Sequence, residues 1–131
     1  MQNLSIRTNA RTEMLDISSQ IQQAVREQNW QSGLLTVFIP HTTAGVTINE
    51  NADPDVQRDM LMEMNKIVPF DDGYHHYEGN SAGHIKSSLF GCSETVIVEE
   101  GRLQLGTWQG IYFCEFDGPR QRKVWLKFIS S

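Results

Sequence analysis

The sequence predicts an α+β domain, a mixed and largely antiparallel sheet system with two helices packed outside it. Three observations predict it. Strand-like segments follow one another directly instead of alternating regularly with helices, as a doubly wound parallel sheet requires. Only two segments carry an apolar stripe of helical period. The chain has 131 residues, so residues 1–131 form one domain. A core of that size buries roughly two-thirds of the unfolded chain's surface and needs no disulfide or metal to hold it.

Each element follows from its own pattern. Leu4, Ile6 and Thr8 alternate with Ser5 and Arg7, which reads as a first strand. Asp16 can cap a helix whose inner face is Ile17, Ile21, Ala24 and Val25, with Asn29 and Gly33 bracketing its end. Leu34 to Ile39 is a short apolar run with β-branched and aromatic residues, so it reads as a buried strand that Pro40 closes. Ala44 to Asn49 gives another strand. Asp53-Pro54 is the clearest helix start, because Asp accepts bonds from free amides and Pro fits the first turn. Val56, Met60, Leu61, Met64 and Ile67 follow as a helical stripe that reads as core filler, and Pro69 stops the helix. Residues 71–83 read as a polar loop, long enough to suggest function. Strands at 96–98, 111–116 and 124–129 finish the chain, separated by Gly101, Gly106 and the turn Asp117-Gly118-Pro119.

Charge and composition exclude some classes. Eleven basic against 16 acidic residues leave a net charge of −5, which gives no electrostatic reason to bind nucleic acid or an anionic membrane. The one basic cluster, Arg120, Arg122 and Lys123, reads equally well as a strand edge or an anion site. No apolar run approaches the ~20 residues of a membrane helix, and Met1-Gln2-Asn3-Leu4 does not open a signal peptide. Cys92 and Cys114 lack zinc-finger spacing and read as packing thiols in a reduced, cytoplasmic protein.

The histidines carry the strongest chemical signal. Three of the four, His75, His76 and His84, fall within ten residues, and His41 sits where a buried strand emerges. Three imidazoles meeting at one point would make an open metal site of the catalytic zinc type. Adjacent side chains in extended backbone point to opposite faces, so only one of His75 and His76 is expected to ligate. The spacing of His76 and His84 is not helical, so a turn over residues 79–83 has to fold them together. The ordinary alternative is a set of solvated loop histidines.

Three stretches then resemble a known family. They are His41-Thr42-Thr43-Ala44-Gly45-Val46-Thr47-Ile48-Asn49-Glu50-Asn51-Ala52-Asp53-Pro54, the segment His76-Tyr77-Glu78-Gly79-Asn80-Ser81-Ala82-Gly83-His84-Ile85-Lys86-Ser87-Ser88-Leu89, and Gly101-Arg102-Leu103-Gln104-Leu105-Gly106-Thr107-Trp108-Gln109-Gly110-Ile111 with Glu115 to Arg120. They resemble the YjbQ-like family, some members of which carry the description secondary thiamine-phosphate synthase. The resemblance implies a β-sandwich-like α+β fold and a homotrimer. It also implies a metal or anion pocket lined by His41, His84 and one of the pair, His76 being preferred for its place before Glu78-Gly79. Gly83 departs from a pattern in which alanine precedes the histidine.

Further roles follow from residue chemistry. Glu78 is the acid/base candidate, since nothing structural explains it, while Asp53 has a competing role as a helix cap. Thr42, Thr43, Lys86, Ser87 and Ser88 suit phosphate binding, and Arg120 could hold a phosphate with two bonds. Trp108, followed by Gln109, reads first as packing in the core or at a subunit interface and second as a surface for a flat substrate ring. The function expected from the resemblance joins a pyrimidine diphosphate to a thiazole phosphate and releases pyrophosphate. Imidazole ligands favour Zn²⁺ or another transition metal, whereas pyrophosphate chemistry usually recruits Mg²⁺. A metal-assisted hydrolase or lyase on a small phosphorylated substrate, and a non-enzymic metal- or metabolite-binding trimer, are the alternatives.

Overall fold

The computed structural model describes residues 1–131. Eight strands and three helices follow the order β1 (Gln2–Arg7), β2 (Glu13–Asp16), α1 (Ser18–Glu27), β3 (Gly33–Phe38), β4 (Ala44–Glu50), α2 (Pro54–Ile67), α3 (Ser81–Phe90), β5 (Ser93–Glu99), β6 (Arg102–Leu103), β7 (Gln109–Glu115) and β8 (Gln121–Ser130). The strands form two sheets, β1-β8-β3-β5-β6 and β2-β7-β4. Each recorded pairing is antiparallel. This is the largely antiparallel α+β arrangement that the strand order predicts, in the two-sheet form that the resemblance implies. Two short strands, β2 and β6, and the third helix, α3, go beyond that prediction.

The core lies between the sheets. The larger sheet contributes Ile6, Leu35, Val37, Val96, Val98, Val124 and Leu126. The smaller sheet contributes Ala44, Val46, Ile111 and Phe113, and Ile17 at the N-cap of α1 joins Ile21, Ala24 and Val25 of that helix in the same cluster. The predicted face of α1 is therefore the one it buries. Each large apolar side chain buried here contributes about 1.5–3 kcal/mol. Asp16 does not occupy the cap expected for it: the N-cap of α1 is Ile17, which makes no side-chain cap bond, and Asp16 Oδ1, one position earlier, accepts from the Ser18 amide at 2.9 Å.

The smaller sheet is covered on both faces. Tyr112, Cys114 and Phe116 form a second cluster against Met14, Leu61 and Phe90. Phe90 meets Phe116 edge-to-face, ring centroids 5.0 Å apart. The segment α3 thus packs on β4, and Gly45 lets it approach. A Cβ at position 45 would stand 2.7 Å from the Gly91 carbonyl oxygen, closer than carbon and oxygen tolerate.

Two expectations for α2 part company. Asp53 Oδ1 accepts from the Asp55 amide at 2.9 Å, so the cap is real. Asp53→Ala is expected to cost about 1 kcal/mol, read as a lower urea midpoint at unchanged slope. The stripe Val56–Ile67, however, reaches the core only at its edge, where partly buried Leu61 packs against the second cluster. No residue of α2 is fully buried, and Ile67 is 62% exposed. No helix of the chain is long and apolar enough to cross a membrane.

Candidate functional site

The site lies where three segments meet. Pro40 ends the run after β3, and residues 41–43 cross to β4 carrying His41, Thr42 and Thr43. The start of α3 supplies Asn80 and His84. The turn between β7 and β8 supplies Asp117 and Arg120, and the start of β8 supplies Arg122. Together with Glu78 these line a cleft of about 580 Å³. A neighbouring cavity of about 530 Å³ opens on the other side of His84, lined by Tyr74, His75, His76 and Ile85.

His84 reaches the cleft from the first turn of α3, not from a loop as the spacing predicts. Ala82, Gly83, Lys86 and Ser87 form the buried face of this helix. A Cβ at position 83 would stand 2.9 Å from the Phe116 carbonyl oxygen. Glycine there lets α3 lie close to the end of β7, and that approach sets the position of His84. His76 and His84 meet with ring centroids 5.5 Å apart and planes at 90°. His76 Nε2 is also 3.7 Å from Glu78 Oε2.

Beneath the cleft runs a buried polar network that residue-by-residue sequence reading misses. Arg122 is 3% exposed and Glu115 is fully buried. Arg122 Nε donates to Glu115 Oε1 at 2.8 Å, and its Nη2 donates to Glu115 Oε2. The same Nη2 donates to the Thr43 carbonyl at 3.2 Å and to Thr43 Oγ1 at 2.9 Å. Thr8 Oγ1 and the Asp117 amide donate to the two Glu115 oxygens at 2.8 and 3.0 Å. Burial alone would raise the Glu115 carboxyl above its ordinary range. The hydrogen bonds from Arg122, Thr8 and Asp117 outweigh it and hold the carboxyl below that range.

His41 stands on this network. Its Nε2 accepts from the Lys123 amide at 2.9 Å. Burial first, and the Arg122 charge second, push its pKa down, so the ring is neutral at pH 7. Its Nε2 lone pair is therefore engaged by protein. No three histidine, cysteine, aspartate or glutamate side chains are grouped so as to hold a metal ion. The expected ligand set fits in part: His76 and His84 face each other, and His41 shares the cleft with its lone pair already committed.

The other predicted residues divide. Glu78 and Arg120 line the cleft, with Arg120 Nε and Nη2 holding Asp117 at 2.9 and 3.0 Å and Nη1 outside that pairing. Thr42 and Thr43 line it as well, but the Thr43 hydroxyl oxygen accepts from Arg122. Ser87 Oγ donates to the Thr42 and His84 carbonyls, so it ties α3 to the 41–43 segment. Lys86 points elsewhere. It is fully buried, donates to Asn65 Oδ1 at 2.6 Å and lies over the Phe70 ring at 4.0 Å. Burial and the Arg11 charge lower its pKa. It braces α3 against α2 and is not in the cleft.

Trp108 and Gln109 sit at the far end of the β4–β7 ladder, where Gln109 pairs with Glu50 while Ala44 pairs with Glu115 beside the cleft. Six residues of strand, about 20 Å, separate the two ends. Trp108 is 63% exposed, so within one chain it neither packs core nor reaches the cleft. Cys114 is fully buried, and its thiol is pushed far up by that burial, which leaves it unreactive.

Comparisons with known proteins agree with this architecture. The family model described as UPF0047 protein YjbQ-like matches residues 2–131. The UPF0047 protein YugU of Bacillus subtilis is 52% identical over 130 residues, covering 98% of both chains. A UPF0047 protein of Methanocaldococcus jannaschii is 50% identical over 126 residues, 96% of this chain and 91% of that one. The crystal structure of an uncharacterized conserved protein of the YjbQ/UPF0047 family from Clostridium acetobutylicum superposes with a TM-score of 0.95 at 53% identity, covering 98% of this chain and 100% of that one. A hypothetical protein from Aeropyrum pernix gives 0.94 at 32% identity, covering 99% and 98%. The fold, the matched length and these identities make the chain a member of the UPF0047 YjbQ-like family.

Proposed function

We propose that this protein is an enzyme acting on a small phosphorylated substrate in the cleft between residues 41–43, α3 and the β7–β8 turn. The carrying observation is the convergence of His41, His84, Asn80, Glu78 and Arg120 on that one cleft. Arg120 offers the guanidinium edge left outside its Asp117 pairing, the donor type that suits phosphate oxygens. The first turn of α3 contains no acidic residue and its N-cap, Asn80, makes no side-chain bond to the helix amides. Asn80 Nδ2 instead donates to Asp117 Oδ2 at 2.9 Å, so the one carboxylate at this helix end is the one already held by Arg120. Glu78 and His84 supply groups able to take and give protons.

The specific reaction that the family resemblance supports is secondary thiamine-phosphate synthesis. A carbon–oxygen bond of the pyrimidine diphosphate breaks, a bond to the thiazole nitrogen forms, and pyrophosphate leaves. Arg120 and the donors around it would stabilise the charge developing on that leaving group. A divalent ion would sit at His76 and His84 with substrate oxygens and would neutralise charge there, Zn²⁺ or another transition ion being favoured by imidazoles and Mg²⁺ by pyrophosphate. The test is pyrophosphate release from the two substrates together, with and without chelator. Turnover by the wild type that drops about tenfold or more in Arg120→Ala supports the reading. No release with any divalent ion overturns this reaction.

We also propose self-association as the homotrimer that the resemblance implies. Leu34 pairs in register with both Ile97 and Ile129, and these three are 49%, 52% and 65% exposed on the outer face of the larger sheet. Phe38 stacks on Trp125 along the same sheet at 5.8 Å. A contiguous apolar face of this kind suits burial against another copy. Light scattering on the purified protein is expected to give three chains, and Leu34→Lys with Ile129→Lys to give one.

A further inference from the structure

The hydrogen bond at His41 fixes more than the ring's position. A backbone amide can only donate, so the Nε2 that accepts from Lys123 must carry a lone pair. The proton of the neutral ring then sits on Nδ1. No bond within the chain engages Nδ1, and it is not a buried atom lacking a partner. His41 lines the cleft together with His84 and Arg120, so Nδ1–H is the edge it offers to a ligand.

Metal-binding histidines have the opposite arrangement. One nitrogen ligates, and the other donates its N–H to a carbonyl or carboxylate, which holds the ligating nitrogen bare. Here the outer partner is a donor, and it leaves the other, unengaged nitrogen protonated. The frame behind it resists rearrangement. Lys123 lies within β8, paired in register with Ser5, and its neighbour Arg122 is held by both oxygens of Glu115. Arg122 also donates to the carbonyl and hydroxyl of Thr43, two residues from His41. Both ends of the His41–Lys123 contact are thereby fastened to the same buried guanidinium.

We propose that His41 is a fixed hydrogen-bond donor to a substrate oxyanion and not a metal ligand. This deepens the phosphorylated-substrate reading and rests on it. The Nδ1–H of His41 and the free edge of Arg120 then form a two-donor receptor for a phosphate oxygen pair, with the Arg122–Glu115 pair as the positioning element.

Long-range proton–nitrogen correlation on ¹⁵N-labelled protein reads the tautomer directly, and titrations with inorganic phosphate and with Zn²⁺ alone read the role. The expected result is the Nδ1-protonated ring at pH 7. Phosphate binding is expected to weaken about tenfold or more in His41→Ala. His41→Asn, whose amide donates from nearly the same place as Nδ1, should recover most of that loss. Zn²⁺ affinity should stay within about threefold of wild type in both variants, against the roughly 10–100-fold changes that even outer partners of ligands cause. An Nε2-protonated ring, a tenfold loss of Zn²⁺ affinity in both variants, or phosphate binding that neither variant alters overturns the proposal. Failure of pyrophosphate release with this pattern intact would remove the reaction and leave the donor assignment standing.

Discussion

Replacing Arg122 by methionine is expected to destabilise the protein by about 3–5 kcal/mol, because it leaves a fully buried carboxylate without its counter-charge. Near the midpoint of a chain this size, that is a fall of about 10–20 °C in melting temperature. The companion variant separates the pair's contribution from the cost of orphaning one member. Glu115→Leu with Arg122→Met removes both charges together, and a well-packed apolar replacement of a buried pair is often close to neutral. Calorimetry on the two singles and the double is therefore expected to show strong non-additivity, the double melting well above either single. Additive losses would show that the two side chains act independently. The pH dependence has a definite sign. The Glu115 carboxyl is held below its unfolded range, so its contribution is complete above the unfolded value of about 4.3. That contribution is lost as pH falls through the lower folded value. Glu115→Gln removes this part of the acid sensitivity, so the gap in stability between wild type and variant should narrow on acidification.

His84→Ala is expected to reduce turnover by about 10²–10⁴-fold, the range for loss of a positioned proton-transfer group. The fold should survive it. His84 is half-buried in the first turn of α3, and alanine is the best helix former. His75→Ala supplies the control. His75 is exposed and lines only the neighbouring cavity, so its loss should leave turnover within about twofold. Equal losses in the two variants would move the chemistry from the cleft to the neighbouring cavity. Loss of melting temperature in His84→Ala matching the loss of rate would reduce its role to structure.

What could be read from the sequence follows from how each signal arises. The run Leu34–Ile39 and the pair Asp53-Pro54 are local signals, and β3 and the start of α2 appear where they point. His41 was legible because Pro40 ends a strand and a strand exit is where sites are built. The helix α3 was not, because its buried face is Ala82, Gly83, Lys86 and Ser87, with no apolar stripe to betray the period. It is held by Gly45, by Ser87 and by Lys86 against Asn65, contacts made by residues far away in the chain. The Lys86 assignment failed for the same reason: on a helix it lies two residues from His84 and so on a different side. The strands β2 and β6 are four and two residues long, too short for a period to show. The Arg122–Glu115 pair did leave a trace. Arg122 alternates in phase with Val124 and Leu126, the buried side of β8. A charge on the inward phase of a strand asks for a buried partner, and Glu115 on doubly covered β7 answers it.

The uneven footing of the cleft has a kinetic consequence. One wall, His41 with Thr43 and Arg122, is bolted to the sandwich. The other, Glu78 with His76 of the neighbouring cavity beside it, hangs from residues 69–80 behind α2, a helix with no fully buried side chain. Free energies of local opening track buried contact, so amides of α2 and of residues 69–80 should exchange with deuterium well before those of β7. A protease at low concentration should nick the chain there first, with the sandwich still folded. The histidine pair would then loosen and re-form on its own clock, many times for each global unfolding event, while the oxyanion-facing wall stays in register throughout.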